Sequence, residues 1–285
     1  MKAKVVYSVV FALVLVSWAG NLAYSRSSQL PAAGFLRHYI ETSYIPSVAF
    51  DLLYVANKDD KRKIVSARVD ELPALRFYPV QIHQELRHQT IYLLRGHYEE
   101  SLIEPREALA PISIHKIIAQ FSDGTESEED VGEIIAYRDD AWPIHVEESP
   151  IQMSSTSGGS DHGGSATVRI TRLLTLSGVT SRWLEKLGDS FQYEMVPKSN
   201  RGLPAEISEA PPLSFDRDEF MTINYQFRIP NDSKQAMEVY NLLLRENFKE
   251  PDGQAASYTV FANYLPYPTE SRMHAYVREQ RRQAR

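Results

Sequence analysis

Hydrophobic and polar positions fall into three regimes along the chain. The first is an apolar run from Val5 to Tyr24 that carries no charge and lies behind Lys2 and Lys4. A helix needs about 20 apolar residues to cross a bilayer, with about 17 as the lower limit, so the run predicts a membrane helix near that limit. Two readings stay open. An uncleaved signal anchor over 1–25 places Trp18 and Tyr24 near the outer interface. A cleavable signal peptide would use the small-x-small triplet Ser17-Trp18-Ala19. The anchor is the expectation. Lys2 and Lys4 on one side face Arg26 and Arg37 on the other, a small bias toward a cytoplasmic N-terminus and an exported remainder.

Residues 26–44 read as a juxtamembrane segment with one or two helical turns around Phe35–Ile40. Residues 45–148 read as a β-sandwich-like domain: from Ile45 to Arg138 the period changes to two, and β-branched and aromatic residues become dense. Strands are expected at Val48–Ala56, Ile64–Val69, Leu75–His83, Gln89–Tyr98, Ile112–Phe121 and Val131–Tyr137. Pro79 marks the third as an edge or a break. Ser122-Asp123-Gly124-Thr125 is a hairpin-turn signal, with the acidic run Glu126–Asp130 read as its loop.

The third regime starts after a polar interruption. Residues 154–165 contain no apolar side chain and are rich in Gly and Ser, so 149–165 reads as a linker or long loop between two domains. A single sandwich carrying a large loop is the rival organisation. Residues 166–285 form a second β-rich unit. Its strands are expected at Ala166–Leu176, Phe191–Val196, Met221–Ile229, Ser257–Leu265 and Arg272–Val277. A short helix is expected within Val179–Leu187, and a longer one near 233–248, capped by Asp232 or Ser233. A Pro-rich loop carries Pro204, Pro211 and Pro212. The fold class is therefore mostly β: an N-terminal membrane helix, then two antiparallel β-sandwich-like modules with one or two short helices.

Composition narrows the function classes. The chain has 285 residues, 43% hydrophobic and 24% charged, enough to bury a core. A net charge of −6 disfavours nucleic acid as the main partner. The absence of cysteine removes disulfides, thiol catalysis and Cys-based metal sites.

No motif for chemistry stands above its background. His83 and His88 are five apart, whereas helical metal pairs sit at i and i+4; His97 and Glu99 follow further on. Ser113-Ile114-His115-Lys116 fits Ser-x-x-Lys, without the Ser-Asp-Asn and Lys-Thr-Gly companions of serine acyl-enzymes. Ser160, Asp161 and His162 adjoin one another, but a triad needs members facing each other from separate elements. The acidic run Asp123–Asp130 lacks the alternate ligand spacing of a calcium loop. The Arg-rich C-terminus reads as a solubilising tail or a contact for anionic lipid or wall polymer. Tyr92, Tyr98, Tyr258, Tyr264 and Tyr267 could line a binding face. No catalytic, cofactor or metal residue is assigned. The expected role is a binding or scaffold module at the cell envelope, held by its N-terminal helix and contacting an envelope protein or polymer. The alternatives are an envelope hydrolase assembled in three dimensions, with His97 or His115 near Glu99 or Asp123, and a cytoplasm-facing membrane regulator.

Overall fold

The computed structural model describes residues 2–103, 105, 107–138, 149–198 and 211–284. Pro204, Arg285 and the segment 139–148 before the expected linker lie outside the described residues. Helix α1 (Lys2–Ser27) leads into β1 (Gly34–Phe35), β2 (Arg37–Ser43), β3 (Ala49–Asn57), β4 (Ile64–Arg68), β5 (Leu75–Glu85), β6 (Gln89–Tyr98), β7 (Leu109–Phe121) and β8 (Glu126–Arg138). Next come β9 (Ile151–Gly158), β10 (Gly163–Ile170), β11 (Leu174–Thr180), the one-turn α2 (Leu184–Leu187) and β12 (Phe191–Lys198). The chain continues through β13 (Leu213–Phe215), β14 (Phe220–Phe227), β15 (Glu238–Lys249), β16 (Ala255–Tyr264) and α3 (Glu270–Gln283). The described residues are mostly β, in multi-strand sheets with few helices.

Strands β3, β6, β5, β4, β7 and β8 lie side by side in that order. The chain then closes them into a ring. β1 pairs antiparallel with β3, and its continuation β2 pairs parallel with β8. Phe50, Leu52, Tyr54, Phe77, Ile117 and Phe121 belong to the core cluster of this ring. The strand changes partner at His38, which is fully buried. His38 Nε2 accepts the Leu53 N–H at 2.9 Å, and Nδ1 lies 3.1 Å from the Val131 carbonyl. An acceptor at Nε2 requires the proton on Nδ1, which then donates to Val131. The imidazole thus bonds β3 to β8 where the backbone has left one for the other. Burial pushes its pKa down to about 3, against the opposing effect of its backbone hydrogen bonds. Gly132 makes room beside it: its φ is +94°, and a Cβ there would meet the His38 carbonyl oxygen at 2.3 Å.

β15 joins this ring to the rest of the protein. One edge pairs with β16 from Tyr240 to Lys249. The other pairs first with β2, over Glu238–Asn241, and then with β11, over Arg245–Lys249. The buried Glu41 fills the gap between them. Its carboxylate accepts from Tyr137 Oη (2.9 Å), Arg182 N (3.1 Å), Leu243 N (3.2 Å) and Ser181 Oγ. A four-stranded sheet, in the order β12-β14-β10-β9, packs against this second half. Two clusters form between the layers, one around Trp183, Phe191, Ile223 and Tyr240, the other around Val168, Leu176, Phe215 and Phe248. α3 covers the outside of the ring with Met273 and Val277 against Leu53, Val55 and Leu93.

Several expectations are corrected. The helix expected near 233–248 is strand β15, preceded by a single 3₁₀ turn at Lys234–Met237. Ser233 does cap that turn, accepting from Ala236 N. Beyond it the apolar run is buried on both faces as a central strand, where periodicity cannot separate helix from strand. Arg272–Val277, expected as a strand, lies in α3, capped by Thr269; its apolar positions Met273 and Val277 are four apart, one helical face. Most of the expected linker 149–165 is ordered as the β9–β10 hairpin. The expected helical turns at Phe35–Ile40 are β1 and the start of β2, and the acidic run Glu126–Asp130 is the first part of β8. The helix expected within Val179–Leu187 is confined to α2, since β11 runs to Thr180. The large sheet passes through β8, β2 and β15, so it crosses the boundary placed at 149–165. Among the described residues no helix is long and apolar enough to cross a membrane.

Candidate binding groove

The two layers of the second half do not meet along one side. β9 is an edge of the four-stranded sheet, β16 branches from the large sheet by its pairing with β15, and both border one opening. Between them lies a groove. The ladder pairs Met153 with Val168 and Thr156 with Ala166. Directly opposed residues share a face, and Val168 and Ala166 are buried between the layers. Met153 and Thr156 therefore lie on the inner face, yet both are exposed, Met153 at 64%. No described strand of the facing layer reaches far enough to cover them.

Tyr225, Tyr258, Ala166 and Val260 line the groove, which encloses about 410 Å³ here. The Tyr225 hydroxyl donates to the Phe261 carbonyl at 3.2 Å and so ties β14 to β16 across the groove. Gly164 permits this, because a Cβ at that position would stand 2.4 Å from the Tyr225 hydroxyl. A second section of about 320 Å³ shares Gly158 and Tyr225 with the first and continues to Leu265 and Tyr267. His162 sits there in the β9–β10 turn at φ +63°, its ring 4.5 Å from that of Tyr264. Close by, the His83 ring lies 4.1 Å from Tyr267, and its Nε2 is 3.0 Å from the Pro266 carbonyl.

The electrostatics are those of a neutral surface. No residue lining either section is Asp, Glu, Lys or Arg. Burial lowers the pKa of His83, more than its Pro266 bond raises it, and burial also lowers that of His162, more than the nearby Asp161 raises it. Both imidazoles are accordingly neutral at pH 7. Burial raises the hydroxyls of Tyr225 and Tyr258, and pushes Tyr264 up to about 12. The arrangement offers aromatic faces, small side chains and neutral donors and acceptors. It suits recognition of an uncharged surface.

The other residues singled out in the sequence are dispersed. His97 lies on β6 with its ring 5.7 Å from Tyr78, and His115 lies on β7 with Nδ1 2.9 Å from the Gly132 carbonyl. Strands β5 and β4 separate β6 from β7, a gap of about 14 Å along the sheet. Asp123 turns into its own hairpin turn, accepting from the Thr125 amide and hydroxyl. No hydrogen bond or ion pair among the described residues joins either histidine to Glu99 or Asp123. Ser113 lies on β7 opposite Ile135, and Lys116 pairs with Glu128. Asp161 accepts from the Gly163 amide at 3.2 Å, so Ser160, Asp161 and His162 belong to a turn. His88 lies at the foot of α1, its ring 6.1 Å from Tyr24. The Arg-rich C-terminus is the end of α3, where Arg281 donates to the Gln29 carbonyl at 3.0 Å and to that of Arg26. Among the described residues no three His, Asp or Glu side chains gather to hold a metal ion. Of the five tyrosines, Tyr258 and Tyr267 line the groove and Tyr264 backs it. Tyr98 is buried in the ring core and Tyr92 packs against it. Local sequence pattern does not single out Tyr225, Met153 or Phe261. The period-two pattern of Met221–Ile229 places Tyr225 on the inner face, but only the tertiary arrangement leaves that face open.

No family model matches the chain, and no curated protein matches it. One solved structure similar to it is a crystal structure of a protein of unknown function from Porphyromonas gingivalis W83, at 11% identity. That match covers 82% of this chain and 99% of the other, with a TM-score of 0.24.

Proposed function

We propose that the protein is a membrane-anchored, extracytoplasmic, non-catalytic binding module whose contact site is the groove between β9 and β16, and that its partner is another envelope protein. The observation that carries this reading is the open sandwich edge: inner-face side chains and three tyrosines, Tyr225, Tyr258 and Tyr267, line an uncharged groove with nothing described to cover it. Aromatic side chains give large contact area at low conformational cost, which favours them at interfaces. The anchor is α1. Its run Val5–Tyr24 carries no charge, and Phe11, Leu13, Val16 and Trp18 are each more than 60% exposed, so these side chains need an apolar environment. The lysines before it favour export of the chain beyond the helix.

Two measurements test the proposal. A phosphatase reporter fused to the C-terminus of the full chain is expected to be active in intact cells; an intact but inactive fusion would place the groove in the cytoplasm and overturn the envelope assignment. Full-length protein is expected to retain a defined envelope protein on affinity capture, and Phe261→Asp to lose it while Val65→Asp, at an exposed position of β4 in the ring, keeps it. Retention by both variants would remove the groove from the account.

A further inference from the structure

We infer that the groove is a slot for one added β-strand: an extended, uncharged segment of the partner polypeptide pairs its backbone with the outer edge of β9. This rests on the binding reading above and specifies its mode. Sheets guard free edges with charge, proline or brevity, because an unguarded edge recruits another strand. Two other edges left unpaired among the described strands are guarded. β12, at the far side of the same sheet, carries Glu194, Pro197 and Lys198, and β13 is three residues long behind Pro211 and Pro212. β9 reads Ile-Gln-Met-Ser-Ser-Thr-Ser-Gly, with neither charge nor proline. Its unguarded edge borders the groove.

The ladder shows which β9 groups are free. The Ile170 amide donates to Glu219 and the Gly163 carbonyl accepts from Gly159, so even-numbered residues of β10 turn their backbone toward β14 and odd-numbered ones toward β9. The same alternation fixes their partners on β9. Ser155 and Ser157 bond inward to β10, while Met153, Thr156 and Gly158 point N–H and C=O outward. No described group bonds to those outward atoms. β16 is uncharged too, but its edge is partly taken. Leu243, the ladder partner of Phe261, donates its amide to Glu41 on the opposite side, so the Phe261 carbonyl faces outward and already accepts from Tyr225. The added strand therefore belongs on β9.

The slot also defines its occupant. Eight residues of β9 span about 27 Å at about 3.4 Å per residue. Alternate side chains of the added strand enter the groove between Met153 and Tyr258, and the others face solvent. The inward set is apolar, because the groove offers no ionic partner and an unpaired buried charge is costly. The mode is β-strand addition, in which the backbone supplies affinity and alternate side chains supply specificity.

The test uses the full chain in detergent micelles and a labelled, end-capped octapeptide of alternating threonine and valine. Saturable binding is expected. N-methylating one alternate set of peptide amides should weaken it at least about tenfold, and methylating the other set by less than about threefold, since only one set faces β9. Thr156→Pro removes one outward amide without touching the β10 ladder, and should weaken binding at least about tenfold with an unchanged circular dichroism spectrum, while Thr156→Val retains it. Absence of binding, equal sensitivity to both methylation sets, or indifference to Thr156→Pro would each overturn the inference. So would a concentration-dependent dimer lost in Thr156→Pro, since a second copy would then fill the edge. If the peptide fails while Phe261→Asp still abolishes partner capture, the binding reading stands and only the strand mode falls; if capture ignores Phe261→Asp, the binding reading itself falls.

Discussion

Replacing Glu246 by glutamine removes a carboxyl from the middle of the sandwich core. Glu246 lies on the inner face of β15 between Leu244 and Phe248, opposite Tyr258 on β16, and is 1% exposed. Its Oε2 has no hydrogen-bond partner among the described residues. Burial raises its pKa from the ordinary 4.5 to about 8. The folded protein therefore keeps the proton above pH 4.5, where the unfolded chain has lost it. The stability this protonation supports is complete below about pH 4.5 and is lost as pH rises toward 8. At about 1.4 kcal/mol per pH unit, the loss reaches about 3 kcal/mol at pH 7. Glutamine has nearly the same shape and never ionises. Its unmatched amide costs about 1–3 kcal/mol, but that cost does not depend on pH. Urea denaturation of both proteins at pH 5, 6, 7 and 8 gives the difference in unfolding free energy, in which the other titrating groups cancel. The variant should gain on the wild type by about 1.4 kcal/mol per pH unit, about 3–4 kcal/mol over the whole range. A difference that stays constant across these pH values would refute the reasoning, since Glu246 would then titrate alike in both states.

Further outcomes rest on the same contacts. His38 is lowered to about 3 in the fold against 6.5 when free, so the stability it supports is complete above pH 6.5 and should fall by about 1.4 kcal/mol per unit as pH drops toward 3; His38→Ala should abolish this slope in acid denaturation curves. Glu41→Ala leaves four donors without their acceptor and should destabilise by about 3–5 kcal/mol in urea titrations, with partial loss of the β2–β15 pairing seen as faster amide exchange at Leu243. Gly132→Ala, with its positive φ and its close approach to the His38 carbonyl, should lower stability by at least about 2 kcal/mol by thermal melting. Gly164→Val should push the Tyr225 ring from its seat and weaken groove-dependent capture while the protein still folds, as read by circular dichroism.

The β character was legible because period-two alternation survives wherever one face is buried. Val48–Ala56 and Gln89–Tyr98 agree closely with β3 and β6. β15 was not legible, since a strand buried on both faces reads as a continuous apolar run, and Ser233 supplies a cap signal that serves only a 3₁₀ turn. The β9–β10 hairpin was hidden for the opposite reason. Beyond Ile151 the inner face of β9 is left uncovered among the described residues, so it carries Thr156 and Gly158 where a covered strand would carry Val or Ile. The feature that disguised it as a linker is the feature that makes it the side of a groove. Of the groove, Tyr258, Tyr264 and Tyr267 were marked by their density of aromatics. Tyr225, Met153 and Phe261 depend on which sheet edge faces which, a long-range property that no local pattern encodes.

The most direct test of the central claim is photocrosslinking in intact cells. A photoreactive phenylalanine analogue is placed at Met153 in the groove, or at Tyr78 on β5 as an exposed control. The account predicts a discrete adduct with one envelope protein from position 153, suppressed by Thr156→Pro, and none from position 78. The same adducts from both positions, or none from position 153, would contradict it.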